Sequence, residues 1–145
     1  MKRHNFKELH IWQLGMDIAD EIYDVTTDYP KEELFGLSLQ MRKAAVSIPS
    51  NIAEGCGRGT DPQLVQFLNI AQGSAFELET QVYIAIRRKY ADVGILESIV
   101  SRIIELQKMI DGLRHVISEY IKFLHTKFIC NKRGNHFHSA IKSER

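Results

Sequence analysis

From Leu96 to Leu124 the apolar residues Leu96, Ile99, Ile103, Leu106, Ile110, Leu113, Ile117, Tyr120 and Leu124 follow one another at strictly alternating steps of three and four. A chain that sustains this seam is committed to a long helix with one face buried against other helices. Three earlier segments repeat the helical period. A first helix is expected over about residues 9 to 29, with Leu9, Trp12, Met16, Ala19, Tyr23 and Thr26 on one face and Ile11, Ile18, Ile22 and Val25 widening it. After Pro30 a second helix is expected from near Lys31, carrying Leu34, Leu37, Met41, Ala44, Ile48 and Ile52 as far as the turn Gly55-Cys56-Gly57-Arg58-Gly59. Thr60 or Asp61 then caps a third, with Pro62 in the first turn, where its missing N–H costs nothing. Helices joined by turns this short predict an all-α, antiparallel up-down four-helix bundle with packing angles of about 20°.

The period implies one domain over residues 9–125, a flexible lead-in over 1–8, and a flexible basic tail over 126–145, because the seam fails after His125. The third helix has more apolar surface than a lone bundle needs. Leu64, Phe67, Leu68, Ala71, Ala75, Leu78, Val82 and Ala85 make one face, while Val65, Ile70, Phe76, Tyr83 and Ile84 fall on another side. The surplus predicts an interface between subunits.

Pro49 interrupts the second helix inside the face formed by Met41, Ala44, Ala45, Ile48 and Ile52. Its ring crowds the Ala45 carbonyl and removes that carbonyl's donor, so a kink at Pro49-Ser50-Asn51 is expected, at a cost of about 3 kcal/mol. The wording around it, AAVSIPSNIAEG followed by GRG, resembles the four-helix bundle proteins encoded in intervening sequences of bacterial 23S rRNA genes, the S23-type family. Ile11-Trp12-Gln13, Tyr29-Pro30-Lys31-Glu32-Glu33, Gly73-Ser74 and Glu77-Leu78-Glu79-Thr80-Gln81 extend the likeness over about residues 9 to 124. The resemblance implies a scaffold with no shared reaction. It also implies pentameric barrels of four-helix subunits and, through more distant similarity to accessory proteins of diversity-generating retroelements, contacts with RNA and a reverse transcriptase. Carried to this chain, it makes Arg42, Lys43 and Arg58 the polar elements of the assembly and Pro49, Ser50 and Asn51 its shaped kink.

Composition sets outer bounds. The 145 residues, 44% hydrophobic and 26% charged, suit one globular core without disulfides. Cys56 and Cys130 make no disulfide framework, no signal peptide is read at the start, and a reduced, cytoplasmic setting is expected. No apolar run approaches the ~18 residues of a membrane span. The net charge of +1 conceals a split. Residues 8–33 carry Glu8, Asp17, Asp20, Glu21, Asp24, Asp28, Glu32 and Glu33 against Lys31 alone, whereas residues 127–145 carry Lys127, Lys132, Arg133, Lys142 and Arg145 against Glu144. Such asymmetry fits either a polyanionic partner or head-to-tail contact between subunits.

Candidate chemistry is sparse. The glycine turn around Arg58 lacks the Lys-Ser/Thr and the preceding strand of a phosphate loop, so it is a helix-ending turn. Cys56 has no base that can be placed beside it, and Cys130 with His136 and His138 lacks the spacing of a zinc module. Glu77 and Glu79 point about 200° apart on one helix and cannot share a site. One of Glu54, Glu77 and Glu79 is expected to pair with Arg42, Lys43 or Arg58. Neither catalysis, a metal nor a cofactor is expected. Arg87, Arg88 and Lys89 suit the negative end of the third helix, and with Arg42, Lys43 and Arg58 they form a distributed basic set for RNA or a nucleic-acid enzyme. The expected function is therefore a non-enzymatic homo-oligomeric scaffold, with a purely structural protein-interaction module as the alternative.

Overall fold

The computed structural model describes residues 5–141, and of residues 130–141 only the helical backbone. Its helices are α1 (His10–Thr26), α2 (Leu37–Gly57), α3 (Asp61–Arg88) and α4 (Val93–Ile141), and no strand occurs among the described residues. Each helix packs on the next and α4 closes on α1, while among the described residues the diagonal pairs bring no Cα atoms within 8 Å of each other. Cross-helix contacts show every neighbouring pair to be antiparallel. Gly15 faces Ile48 and Pro49 while Thr26 meets Arg42, and Ser47 meets Ser74 while Gly55 faces Leu64 and Phe67. Asn69 meets Arg114 while Glu79 meets Gln107, and Glu21 meets Arg102 while Asp28 and Asp92 border one groove. This is the up-down four-helix bundle that the periodicity implies.

The core follows the sequence stripes in α2, α3 and the first half of α4. Met41, Ile48, Ile52, Leu68, Leu78, Leu96, Ile103, Leu106 and Ile110 are fully buried. In α1 the stripe is rotated from the expected one. Ile11, Ile18, Ala19 and Ile22 are buried, whereas Met16 and Tyr23 are exposed. Both files of α1 are apolar, so the period could not choose between them; the positions of α2 and α4 did.

Three local expectations are corrected. Lys31–Glu33 is a separate 3-10 turn, and α2 begins only at Leu37, where Glu33 Oε2 accepts the Leu37 N–H at 2.8 Å. Glu33 Oε1 also accepts from the Tyr90 hydroxyl at 2.8 Å, tying the α3–α4 turn to the start of α2. These two donors hold the Glu33 carboxyl below the usual carboxylate range. Thr60 occupies the N-cap of α3, but its hydroxyl donates to Gln63 Oε1 at 2.8 Å and caps no backbone N–H. Residues 5–8 are not a flexible lead-in: Asn5 caps the turn Phe6–Glu8, and Phe6 packs edge-on against Trp12 with ring centres 5.3 Å apart. The helical backbone of α4 runs on past His125 to Ile141. Loss of the apolar stripe removes a reason to pack, yet no proline follows Pro62 to stop the helix.

Pro49 lies inside α2, buried, and the helix continues through it to Gly57. Gly15 of α1 sits opposite. A methyl there would rest 3.5 Å from Ile48 Cγ2 and 3.5 Å from Pro49 Cδ, which is ordinary contact. Because glycine inside a helix costs about 0.5–1 kcal/mol relative to alanine, Gly15→Ala is expected to raise stability by up to that amount. Urea denaturation measures it.

Candidate functional site

The proline motif builds a groove between α1 and α2. Asn51 Nδ2 donates to the Ser47 carbonyl at 2.8 Å and to Ser47 Oγ at 3.0 Å, and Ser47 Oγ shares a hydrogen bond of 2.8 Å with Ser74 Oγ of α3. Polar groups next to the proline thus clasp α2 to α3. On the opposite flank Pro49 and Ser50 border a shallow depression with Trp12, Met16, Tyr23 and Val46, of about 360 Å³. It continues past Tyr23 and Val46 into a second depression of about 430 Å³ lined by Leu39, Arg42 and Lys43. Met16, Tyr23 and Val46 are each about 40–50% exposed there.

Arg42 is held rather than loose. Its Nε donates to Thr26 Oγ1 at 2.9 Å, Thr26 in turn donates to the Ile22 carbonyl at 2.6 Å, and the guanidinium lies 5.1 Å from the Tyr23 ring centre. Lys43 beside it is exposed. Arg58 sits more than four turns further along α2, paired with Glu54 at 2.7 Å and 4.9 Å from the Phe67 ring centre. Such a pair is expected from the sequence inside the bundle or across subunits; the pair formed is instead a one-turn contact within one chain at the solvent surface. Arg88 bonds the Tyr90 hydroxyl at 3.4 Å and faces its ring, Arg87 is exposed, and Lys89 ends α3 in the left-handed conformation with φ 57°. The fold therefore gathers Arg42 with Lys43 and Arg87 with Arg88 and Lys89, and sets Arg58 apart. Nothing in a linear reading separates Arg58 from the others, because the distance depends on where α2 ends.

The proposed second stripe of α3 lies outside. Phe76 is 54% exposed, Ile70 and Tyr83 are 46% exposed, Ile84 is 44% exposed, and Val65 is half-buried. Phe76 and Tyr83, two turns apart, form one file and Ile70 and Ile84 another, about a quarter-turn or more away. Glu77 and Glu79 indeed diverge: Glu77 accepts from Gln81 at 3.2 Å on α3 and Glu79 accepts from Gln107 of α4 at 2.7 Å.

Cys56 is buried, and burial pushes its thiol pKa up, which makes thiolate scarce at neutral pH. Iodoacetamide labelling followed by peptide mass mapping is expected to modify Cys56 on the order of tenfold more slowly in the folded protein than in urea. No three His, Cys, Asp or Glu side chains among the described residues are grouped to hold a metal ion. Cys130, Lys132, Arg133, His136 and His138 lie outside the described side chains. No helix among the described residues is long and apolar enough to cross a membrane.

No curated protein matches the chain. In fold it is similar to a crystal structure of a protein of unknown function from the S23 ribosomal protein family of Bacteroides thetaiotaomicron VPI-5482, at 24% identity and a TM-score of 0.67, over 72% of this chain and 95% of that one. The model of the 23S rRNA-intervening sequence protein family matches residues 7–112, which include all of α1, α2 and α3 and the buried half of α4. With the bundle, the proline motif and its Ser47–Ser74 clasp all inside that span, the chain belongs to the 23S rRNA-intervening sequence protein family.

Proposed function

We propose that this protein is a non-enzymatic cytoplasmic scaffold whose copies meet through the outer face of α3 and which displays basic residues to RNA or to a nucleic-acid-associated protein. The observation that carries this reading is the pair of exposed apolar files on α3, Phe76 with Tyr83 and Ile70 with Ile84, each residue near half-exposed on a helix whose remaining face is buried. Large apolar side chains clustered at a surface are a mark of association. The resemblance makes a pentamer the expected closed form. Lys43, Arg58, Arg87, Arg88 and Lys89 are exposed and supply the cations for phosphate contacts.

A second reading, a structural module with no nucleic-acid affinity, is favoured by one specific observation. Arg42, Arg58 and Arg88 are each engaged by neighbours in their own chain, at Thr26, Glu54 and Tyr90 respectively. Size-exclusion chromatography with light scattering on protein purified in low salt, read at protein and nucleic-acid wavelengths, separates the two. The scaffold reading expects a closed oligomer carrying nucleic acid that salt strips off, and reversing Arg42, Lys43 and Arg58 together should reduce both retention and its salt slope. An oligomer free of nucleic acid selects the second reading. A monomer overturns both.

A further inference from the structure

Past Ile110 the seam of α4 keeps its period while the helices that cover it run out. Leu113 and Ile117 are half-buried, but Tyr120 is 54% and Leu124 46% exposed, and Val116 and Phe123 beside them are exposed as well. Asn69, in the third turn of α3, already reaches Arg114, so α3, which starts at Asp61, ends about two turns further along α4. Beyond that point the described side chains of α4, from Lys122 to Ile129, are all exposed. The projection is basic as well as apolar: Lys122 is exposed and paired with Glu119 at 2.7 Å, and Lys127 lies 5.2 Å from the Phe123 ring centre.

The complement lies at the other end of the same helix. Where α1 ends against the start of α4, a groove of about 720 Å³ combines the apolar Val25, Ile95 and Ile99 with the carboxylates of Asp24, Asp28 and Asp92. Glu21 also lines it: Arg102 engages its Oε1, while its Oε2 is enclosed without a hydrogen-bond partner. An apolar strip edged by lysines thus has an apolar groove edged by carboxylates to match it. Within one chain they cannot meet, because Ile95 and Leu124 are separated by about 45 Å of continuous helix.

We propose that the projecting part of α4 docks into the α1–α4 groove of a second copy of this chain. The contact is head-to-tail, so it propagates into a ring or an open chain unless one end is blocked. It uses neither Phe76 nor Tyr83 and stands independently of the α3 interface. Because it is held partly by charge between exposed side chains, it weakens with salt.

The test uses two full-length double variants at exposed positions, Asp24→Lys with Asp28→Lys and Lys122→Glu with Lys127→Glu, both in a Phe76→Asp chain that removes the α3 contact. Sedimentation after nuclease treatment is read against the Phe76→Asp chain at high salt, with circular dichroism confirming equal helix content. The Phe76→Asp chain should associate at low salt, and each double variant should stay at the high-salt mass. An equimolar mixture of the two should associate again at low salt, since the intact projection meets the intact groove and the charge-reversed projection meets the charge-reversed groove. The idea fails if either double variant associates like its parent, if the mixture does not associate, or if nuclease alone abolishes the parent's association, which would make the projection a nucleic-acid arm. A Phe76→Asp chain that keeps an α3-type assembly in high salt counts against the α3 interface only, because every mass here is read relative to that chain.

Discussion

Gly55→Ala should destabilise the fold by about 1–3 kcal/mol, the range of an overpacked core. A Cβ at Gly55 would lie 2.8 Å from Phe67 Cβ and 3.0 Å from Leu64 Cδ1, with Leu64 Cα only 3.5 Å away. The leucine methyl can turn aside, but Phe67 Cβ is fixed to the backbone of α3 and can yield only if the two helices part. They part where α2 and α3 converge towards their shared turn, so the strain cannot be relieved by a side-chain rotation alone. Gly57 supplies the control. Nothing lies within 4 Å of a methyl there, and the position is exposed, so Gly57→Ala should change stability by no more than about 0.5 kcal/mol. Equilibrium urea denaturation of the two variants decides it: equal midpoints would show that α2 and α3 do not approach as closely as 2.8 Å implies. The opposite sign expected at Gly15 makes the comparison sharper, since all three changes add the same methyl to the same kind of backbone.

At high salt, where the charged α4 contact is screened, Phe76→Asp should reduce the assembly to single chains while leaving the subunit folded. Phe76 is 54% exposed and contributes nothing to the buried core, so the charge should alter subunit stability by about 0.5 kcal/mol or less. In an interface the same carboxylate would have to be stripped of water opposite an apolar surface, at a cost of several kcal/mol, which is enough to dissociate an ordinary oligomer. Light scattering measures the outcome, with circular dichroism to confirm helix content. An assembly of unchanged mass would remove Phe76 from the contact and leave the α3 surplus without its assigned role. Tyr83→Asp, on the same file, should behave alike.

The helix count and the antiparallel order were legible because every helix keeps a period of three and four in its core-facing residues and the breaks at Pro30, Gly59 and Pro62 are chemically unambiguous. The basic residues were legible as a list and not as a site. Arg42 is drawn down by Thr26 and Tyr23, partners that a stripe analysis assigns to the core, and Arg58 is taken by Glu54 one turn back. Ser74 was visible only as part of the Gly73-Ser74 pair in the family likeness, and its bond to Ser47 depends on the rotation of α3 against α2.

The local code thus settled where each helix could form and where Pro49 would have to be tolerated, since periodicity, prolines and glycines act within a few residues along the chain. Tertiary structure decided the rest. It turned Ile18 and Ile22 inward in place of Met16 and Tyr23, delayed α2 to Leu37 through a carboxylate that also answers to Tyr90, and left Tyr120 and Leu124 of the α4 seam exposed. Each of these depends on which surface another helix presents from tens of residues away, and a one-dimensional pattern carries no record of that distance.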